Sequence, residues 1–141
     1  LDELRTLNKI LGLEKYVEFP GRVSNEYLAD VLNTADVCVN PDIPSEMNDK
    51  STMNKIMEYM AFGKPIVQYT LKEGQFSAEK ASLYAKNTDT NDFAEKILWV
   101  LDHPEQAKEM GQFGRARVEN ELSWNYERPK LISAYKKLLG L

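Results

Sequence analysis

Apolar positions fall along the chain in two alternating rhythms, one helical and one extended. Leu4, Leu7, Ile10 and Leu11 have helical spacing, and Gly12 follows as a stop. Val17, Glu18 and Phe19 read as a short strand closed by Pro20 and Gly21. Ser24 is a good N-cap for a helix with Leu28, Val31 and Leu32 on one face. Val37, Cys38 and Val39 form an unbroken apolar run, as in a strand covered on both sides. The stretch "NPDIPSEMNDK" over 40–50 has no helical period and predicts a polar loop. A helix is expected over 51–62, then a strand over 66–69 after Pro65. "TLKEGQFSAEKA" over 70–81 predicts a loop or a broken helix, and 82–85 a last short strand. Beyond that the pattern is helical to the end. Phe93, Ile97, Val100 and Leu101 make one stripe, and Ala107, Met110 and Val118 a less regular second. Leu131, Ala134, Tyr135 and Leu138 make a third, with Ser123 as its expected cap.

Strands alternating with helices imply an α/β domain with a mainly parallel sheet and a helical C-terminal end. The 141 residues suit one domain. At most four strands are visible and the first element is a helix, so one expects a domain over 1–141 that lacks its N-terminal front. The chain opens on Leu1, in keeping with a piece of a longer protein.

Within 51–62, Met53, Ile56, Met57, Met60 and Ala61 form one apolar face. Ser51, Asn54, Lys55 and Glu58 fall on another, with Asn54 and Glu58 one turn apart. The helix start, with Ser51, Thr52 and the free N–H groups of its first turn, attracts anions, phosphate above all. The preceding loop leaves the C-terminal end of a strand, where open α/β sheets bind ligands. The plainer reading of the same residues is an N-cap at Ser51 and solvated surface charges at Lys55 and Glu58.

Composition narrows the classes. A net charge of −4 supplies no basic footprint for nucleic acid. No apolar run approaches the ~20 residues of a membrane helix. Cys38 is alone, so no internal disulfide forms, and its apolar neighbours predict a buried thiol compatible with a reducing cytoplasm. No Cys/His cluster exists, and no metal site is expected. His103, the sole histidine, precedes Pro104 between two helices and reads as a surface connection. Glu73 and Ser77 follow the strand at 66–69 and so fall toward the ligand edge, as ligand contacts or as an ordinary solvated loop. Asp42 and Glu46 are either ligands or solubilising charges. Trp99 and Trp124 are expected to pack rather than to stack on a ligand.

"NKIMEYMAFGKPIVQY" over 54–69 resembles the donor-site helix of retaining GT-B glycosyltransferases, family 4 or "group 1". Their usual run is a glutamate, seven residues, "EAMA", a small residue, then glycine, any residue and "PVV". Here "MEYMAFGKPIV" stands in that place. "VEFPGRVSNEYLADVLNTADVCVNP" resembles the preceding strand, helix and strand, and "DTNDFAEKILWVLDHPEQAKEMGQFGRARVENELSW" the C-terminal helices.

The resemblance implies a Rossmann-like sheet flanked by helices, part of the GT-B C-terminal domain. It implies a UDP- or GDP-sugar donor, transfer to an acceptor hydroxyl with retention, and no cofactor or required metal. Glu58 would accept hydrogen bonds from the ribose hydroxyls, since an ionised carboxylate is acceptor-only and can take both hydroxyls of a cis-diol. The backbone near Met53, Asn54 and Lys55 would face the diphosphate or the sugar. The turn at Gly21, Arg22 and Val23 would lie beside the base, with Arg22 either stacked on it or facing solvent. The family's first glutamate corresponds to Lys50, and a lysine accepts no hydrogen bond. Asp49 is the candidate substitute for that donor-sugar contact.

The family's glycine-rich loop, its phosphate-binding Arg and Lys, and the acceptor domain would lie upstream. A glycan or lipid-linked acceptor would be met there, along with any peripheral membrane contact of an otherwise cytoplasmic enzyme. Two other functions fit the same fold: a GT-B sugar-nucleotide epimerase, and a non-catalytic nucleotide-sugar-binding module, which Lys50 favours.

Overall fold

The computed structural model describes residues 1–140. The chain divides into two compact units, one over 1–30 and one from Val31 onward. The first holds α1 (Asp2–Ile10), which buries none of its residues, and Gly12 leaves it at φ +65°. The segment 17–19 forms no strand. A strand exists only through a ladder partner, and among the described residues no strand pairs with this one. Ser24 caps α2 (Asn25–Thr34) as expected, its hydroxyl accepting the Tyr27 N–H at 3.2 Å.

In the second unit, β1 (Cys38–Asn40), β2 (Ile66–Tyr69) and β3 (Ser82–Ala85) form a parallel sheet in the order β1-β2-β3. Ile66 lies opposite Cys38 on one side and Ser82 on the other. Side chains alternate between faces. Ile66 packs with Ile56 and Met60 of α4 (Asn54–Ala61) and with Ala78 of α5 (Lys72–Ala78). Val67, Tyr69 and Ala85 pack on the opposite face with Phe93 and Val100 of α6 (Thr90–Asp102). Cys38 is buried as expected. Val39 is 38% exposed, so β1 is not covered on both sides.

The loop over 40–50 contains a short helix, α3 (Glu46–Lys50). It arises from capping, not from apolar period: the Ser45 hydroxyl accepts the Asn48 N–H at 3.0 Å, and the Asn48 side-chain amide donates to the Ile43 carbonyl. The stretch over 70–81 is the broken helix of the two alternatives, α5 followed by a 3₁₀ turn (Glu79–Ala81), with Glu79 at φ +43°.

α7 (Pro104–Arg117) lies against the turn that ends α4. Gly63 occupies the left-handed position there, at φ +66°, and a Cβ on Gly111 would sit 1.9 Å from the Gly63 carbonyl oxygen. Only glycine allows that approach. At the end of α7 the nearly buried Arg117 donates to the Ser77 and Phe76 carbonyls at 3.0 and 2.9 Å. It also pairs with Glu79 at 2.9 Å and with Glu121. A π-turn (Val118–Leu122) then leads into α8 (Trp124–Leu139). Ser123 stands at the N-cap of α8, but its hydroxyl makes no capping bond. Leu131, Tyr135 and Leu138 are exposed, and so is Trp124, which does not pack as expected. His103 joins α6 to α7 and stacks on Trp99 at 4.2 Å.

Candidate functional site

The C-terminal ends of the strands in the second unit carry the groups singled out by the sequence. β1 leads through α3 to α4, and β2 leads directly into α5. Three short connections, over 41–45, 51–53 and 70–71, therefore lie at this edge.

Ser51 does not start α4. Its hydroxyl donates to the Met47 carbonyl at 2.6 Å and its N–H to Asn48, so it closes α3. The helix predicted over 51–62 therefore begins at Asn54. Met53 stands at its N-cap with extended backbone and no side-chain capping bond. Thr52, between the two helices, donates its hydroxyl to Glu73 at 2.6 Å. Glu73 lies on the first turn of α5.

Asp49 is tied to the same turn. One of its carboxylate oxygens accepts the Lys72 backbone N–H at 2.8 Å, and the other lies 3.2 Å from the Lys72 ammonium. The backbone hydrogen bond, then the ammonium, hold the Asp49 carboxyl below the usual carboxylate range. Lys50 points elsewhere: its ammonium meets Glu46 at 2.6 Å, with both side chains largely in solvent. Lys55 pairs with Asp42 at 2.8 Å. Glu58 is exposed, and its side chain makes no hydrogen bond or ion pair with another described residue. Asn54, one turn before it, is exposed as well.

Ser77 does not reach this edge. It is 2% exposed, and its carbonyl is held by Arg117. Arg22 and Val23 belong to the first unit, where Arg22 is exposed beside Gly21, at φ +73°.

A cleft of about 570 Å³ opens at this edge, lined by Ser45, Glu46, Asp49, Thr70, Lys72 and Asn87. Another hollow, of about 430 Å³, lies between Ala35, Lys64, Pro65 and Pro104, at the opposite ends of the strands and away from these groups. Among the described residues no three of His, Cys, Asp and Glu gather around a point that would suit a cation.

Lys72 and Gln68 make contacts beside these groups that the sequence reading did not single out. Lys72 adjoins Glu73 at a strand end, which is a usable signal. Gln68 sits within an otherwise apolar strand, 0% exposed, and donates its side-chain amide to the Gly74 carbonyl at 3.4 Å.

Comparison with known proteins agrees with this architecture. A family model described as glycosyl transferases group 1 matches residues 1–103. The chain is 27% identical over 118 residues to the D-rhamnosyltransferase WbpZ of Pseudomonas aeruginosa, covering 82% of this chain and 30% of that protein. The solved structure of sucrose-phosphate synthase from Thermosynechococcus elongatus matches with a TM-score of 0.87 and 27% identity, over 99% of this chain and 34% of that one. The chain thus spans about a third of the length of these relatives.

Proposed function

The chain belongs to the group 1 glycosyltransferases, and from that membership we propose that it forms the nucleotide-sugar-binding part of such an enzyme. The donor is a UDP- or GDP-sugar. A hexosyl group passes to an acceptor hydroxyl with retention, in polysaccharide or glycoconjugate synthesis. The acceptor is a glycan or a lipid-linked glycan, bound by the remainder of the longer protein. No cofactor or metal beyond the donor is required. No described helix is long and apolar enough to cross a membrane, and we place the enzyme in the cytoplasm, with any membrane contact made peripherally by the remainder.

One observation carries this reading. Asp42, Asp49, Lys50, Lys55, Lys72 and Glu73 all have charged or hydrogen-bonding partners. Among the described charges around α4, Glu58 is the one that is solvent-facing and unpaired, one turn along a helix whose start lacks a side-chain cap. A carboxylate so placed is free to accept the two ribose hydroxyls. The first N–H groups of α4 are free to face the diphosphate, near Met53, Asn54 and Lys55. Thr52 and Glu73 would then border the donor. Asp49 serves the sugar only by giving up part of its tie to Lys72, and Ser51 serves through its backbone, since its hydroxyl is spent on α3. The protein's share of catalysis is orientation of the donor and stabilisation of charge on the departing diphosphate.

Lys50 favours a second reading, a module that binds the donor without turnover. Its ammonium, turned toward Glu46, accepts nothing from a sugar.

Glu58→Ala in the full-length protein tests the assignment. Losing two hydrogen bonds to a charged group is expected to weaken UDP or GDP binding by about 10- to 100-fold. The melting temperature should barely change, because an exposed, unpaired acid contributes little to stability. Unchanged affinity in calorimetry, or a large drop in melting temperature, would sink the ribose assignment. Binding without transfer or donor hydrolysis across donors and acceptors would establish the second reading.

A further inference from the structure

Gln68 and Asn40 are anomalies in the core. They face each other in register on β2 and β1, at 0% and 1% exposure. Both Asn40 side-chain polar atoms, and the Gln68 side-chain oxygen, have no hydrogen-bond partner. Buried polar atoms left unsatisfied cost stability. Such breaches of packing rules concentrate where function requires them.

The Gln68 amide has one partner, the Gly74 carbonyl, and the contact is close in shape as well. A Cβ on Gly74 would lie 2.5 Å from the Gln68 side-chain oxygen. Gly74 thus allows the first turn of α5 to settle onto the carboxamide. The two preceding residues of that turn hold the site: Lys72 is tied to Asp49 and Glu73 to Thr52. Three successive residues of α5 therefore meet three different neighbours, and the innermost of the three contacts is Gln68–Gly74.

We propose that Gln68 and Gly74 are positioning residues: their contact seats the first turn of α5 on the sheet, and that turn in turn fixes Asp49 and Thr52 at the entrance to α4. Neither touches the ligand. The consequence for donor binding rests on the reading given above; the seating does not.

Amide hydrogen exchange on the full-length protein tests this. The Lys72 N–H donates to Asp49, so its exchange reports the tie directly. Gly74→Ala should lift the turn and speed exchange at Lys72 about tenfold, while amides of α6, on the opposite face, keep their rates. Gln68→Ser deletes the same contact from the other side and should speed Lys72 exchange in the same sense, with no further acceleration when it is combined with Gly74→Ala. UDP or GDP affinity should follow the same order. The proposal is overturned if Gly74→Ala leaves Lys72 unchanged, if α6 accelerates equally, or if the two substitutions accelerate Lys72 independently and additively. Should Gly74→Ala fail to fold, Gln68→Met decides, since it keeps the volume and removes the donor. Faster exchange at Lys72 with α6 unchanged supports the seating, and equal exchange refutes it. A parent protein that binds neither UDP nor GDP would overturn the donor-binding reading, while the exchange rates still judge the seating.

Discussion

Asp49 and Lys50 are adjacent in sequence, yet they do opposite things. Asp49 accepts a backbone N–H and holds an ammonium, and its carboxyl ionises below its ordinary value of 3.8. A group whose pKa is lowered on folding stabilises the fold above its unfolded value, and the effect is lost as pH falls through the folded value. The Asp49–Lys72 tie should therefore hold at neutral pH and fail on acidification below about pH 3.8. An NMR titration of the Lys72 amide should show that loss. In Asp49→Asn the same amide should show no acid transition of this origin, and an identical titration in both proteins would contradict the assignment. Lys50 and Glu46 are largely exposed and make a surface pair of little worth, at most about 1 kcal/mol. The sequence shows an acid and a cation side by side. It does not show which of them turns inward, because that depends on where α5 begins.

At the level of elements, the tightest joint is between α7 and the end of α4. The Cβ of Gly111→Ala would overlap the Gly63 carbonyl oxygen, and backbone cannot yield as a flexible side chain can. Overpacking of this kind should cost roughly 2–3 kcal/mol. A fall of about 10 °C in melting temperature is expected for a chain of this size, and a shift under ~2 °C would mean that α7 slides freely on α4. This joint also explains what the apolar pattern could and could not reveal. β2 and β3 were legible because their runs are buried on the sheet, and their bounds fall where the pattern puts them. The segment 17–19 has a strand's composition but no ladder, and pairing is decided at a distance. α3 is held by Ser45 and Asn48 rather than by a stripe, so its five residues read as loop. The start of α4 was set too early because the Ser51 hydroxyl, a good N-cap in isolation, closes the preceding helix instead. The irregular spacing of α7 has its reason in Gly111 and Gly114, which are buried where a stripe would put large side chains.

For the molecule as a whole, alternation of strand and helix was enough to identify the α/β architecture, and the order and spacing of the run over 54–69 and its flanking segments together pointed to the family. Faces left exposed among the described residues are less legible. α1 and α8 each carry apolar stripes that the structure leaves exposed. Periodicity distinguishes a stripe from a polar face but does not say what covers it. The buried cysteine on β1 bears on the molecule in another way. Burial pushes the Cys38 thiol up to about 11 from an ordinary 9.0, partly offset by Lys64. The stabilisation this implies is complete below the ordinary value and is lost as pH climbs from about 9 toward 11. At pH 8 about one native thiol in a thousand would be ionised, against about one in ten in the opened chain. Since the sequence has no other cysteine, reaction with a thiol reagent becomes a clock for opening of the second unit. With reagent in excess, the rate should level off at the opening rate of the sheet, and Gly111→Ala should raise that plateau severalfold. Labelling that instead grows without limit with reagent concentration, at the same rate in both proteins, would show that the thiol is reached without the sheet opening.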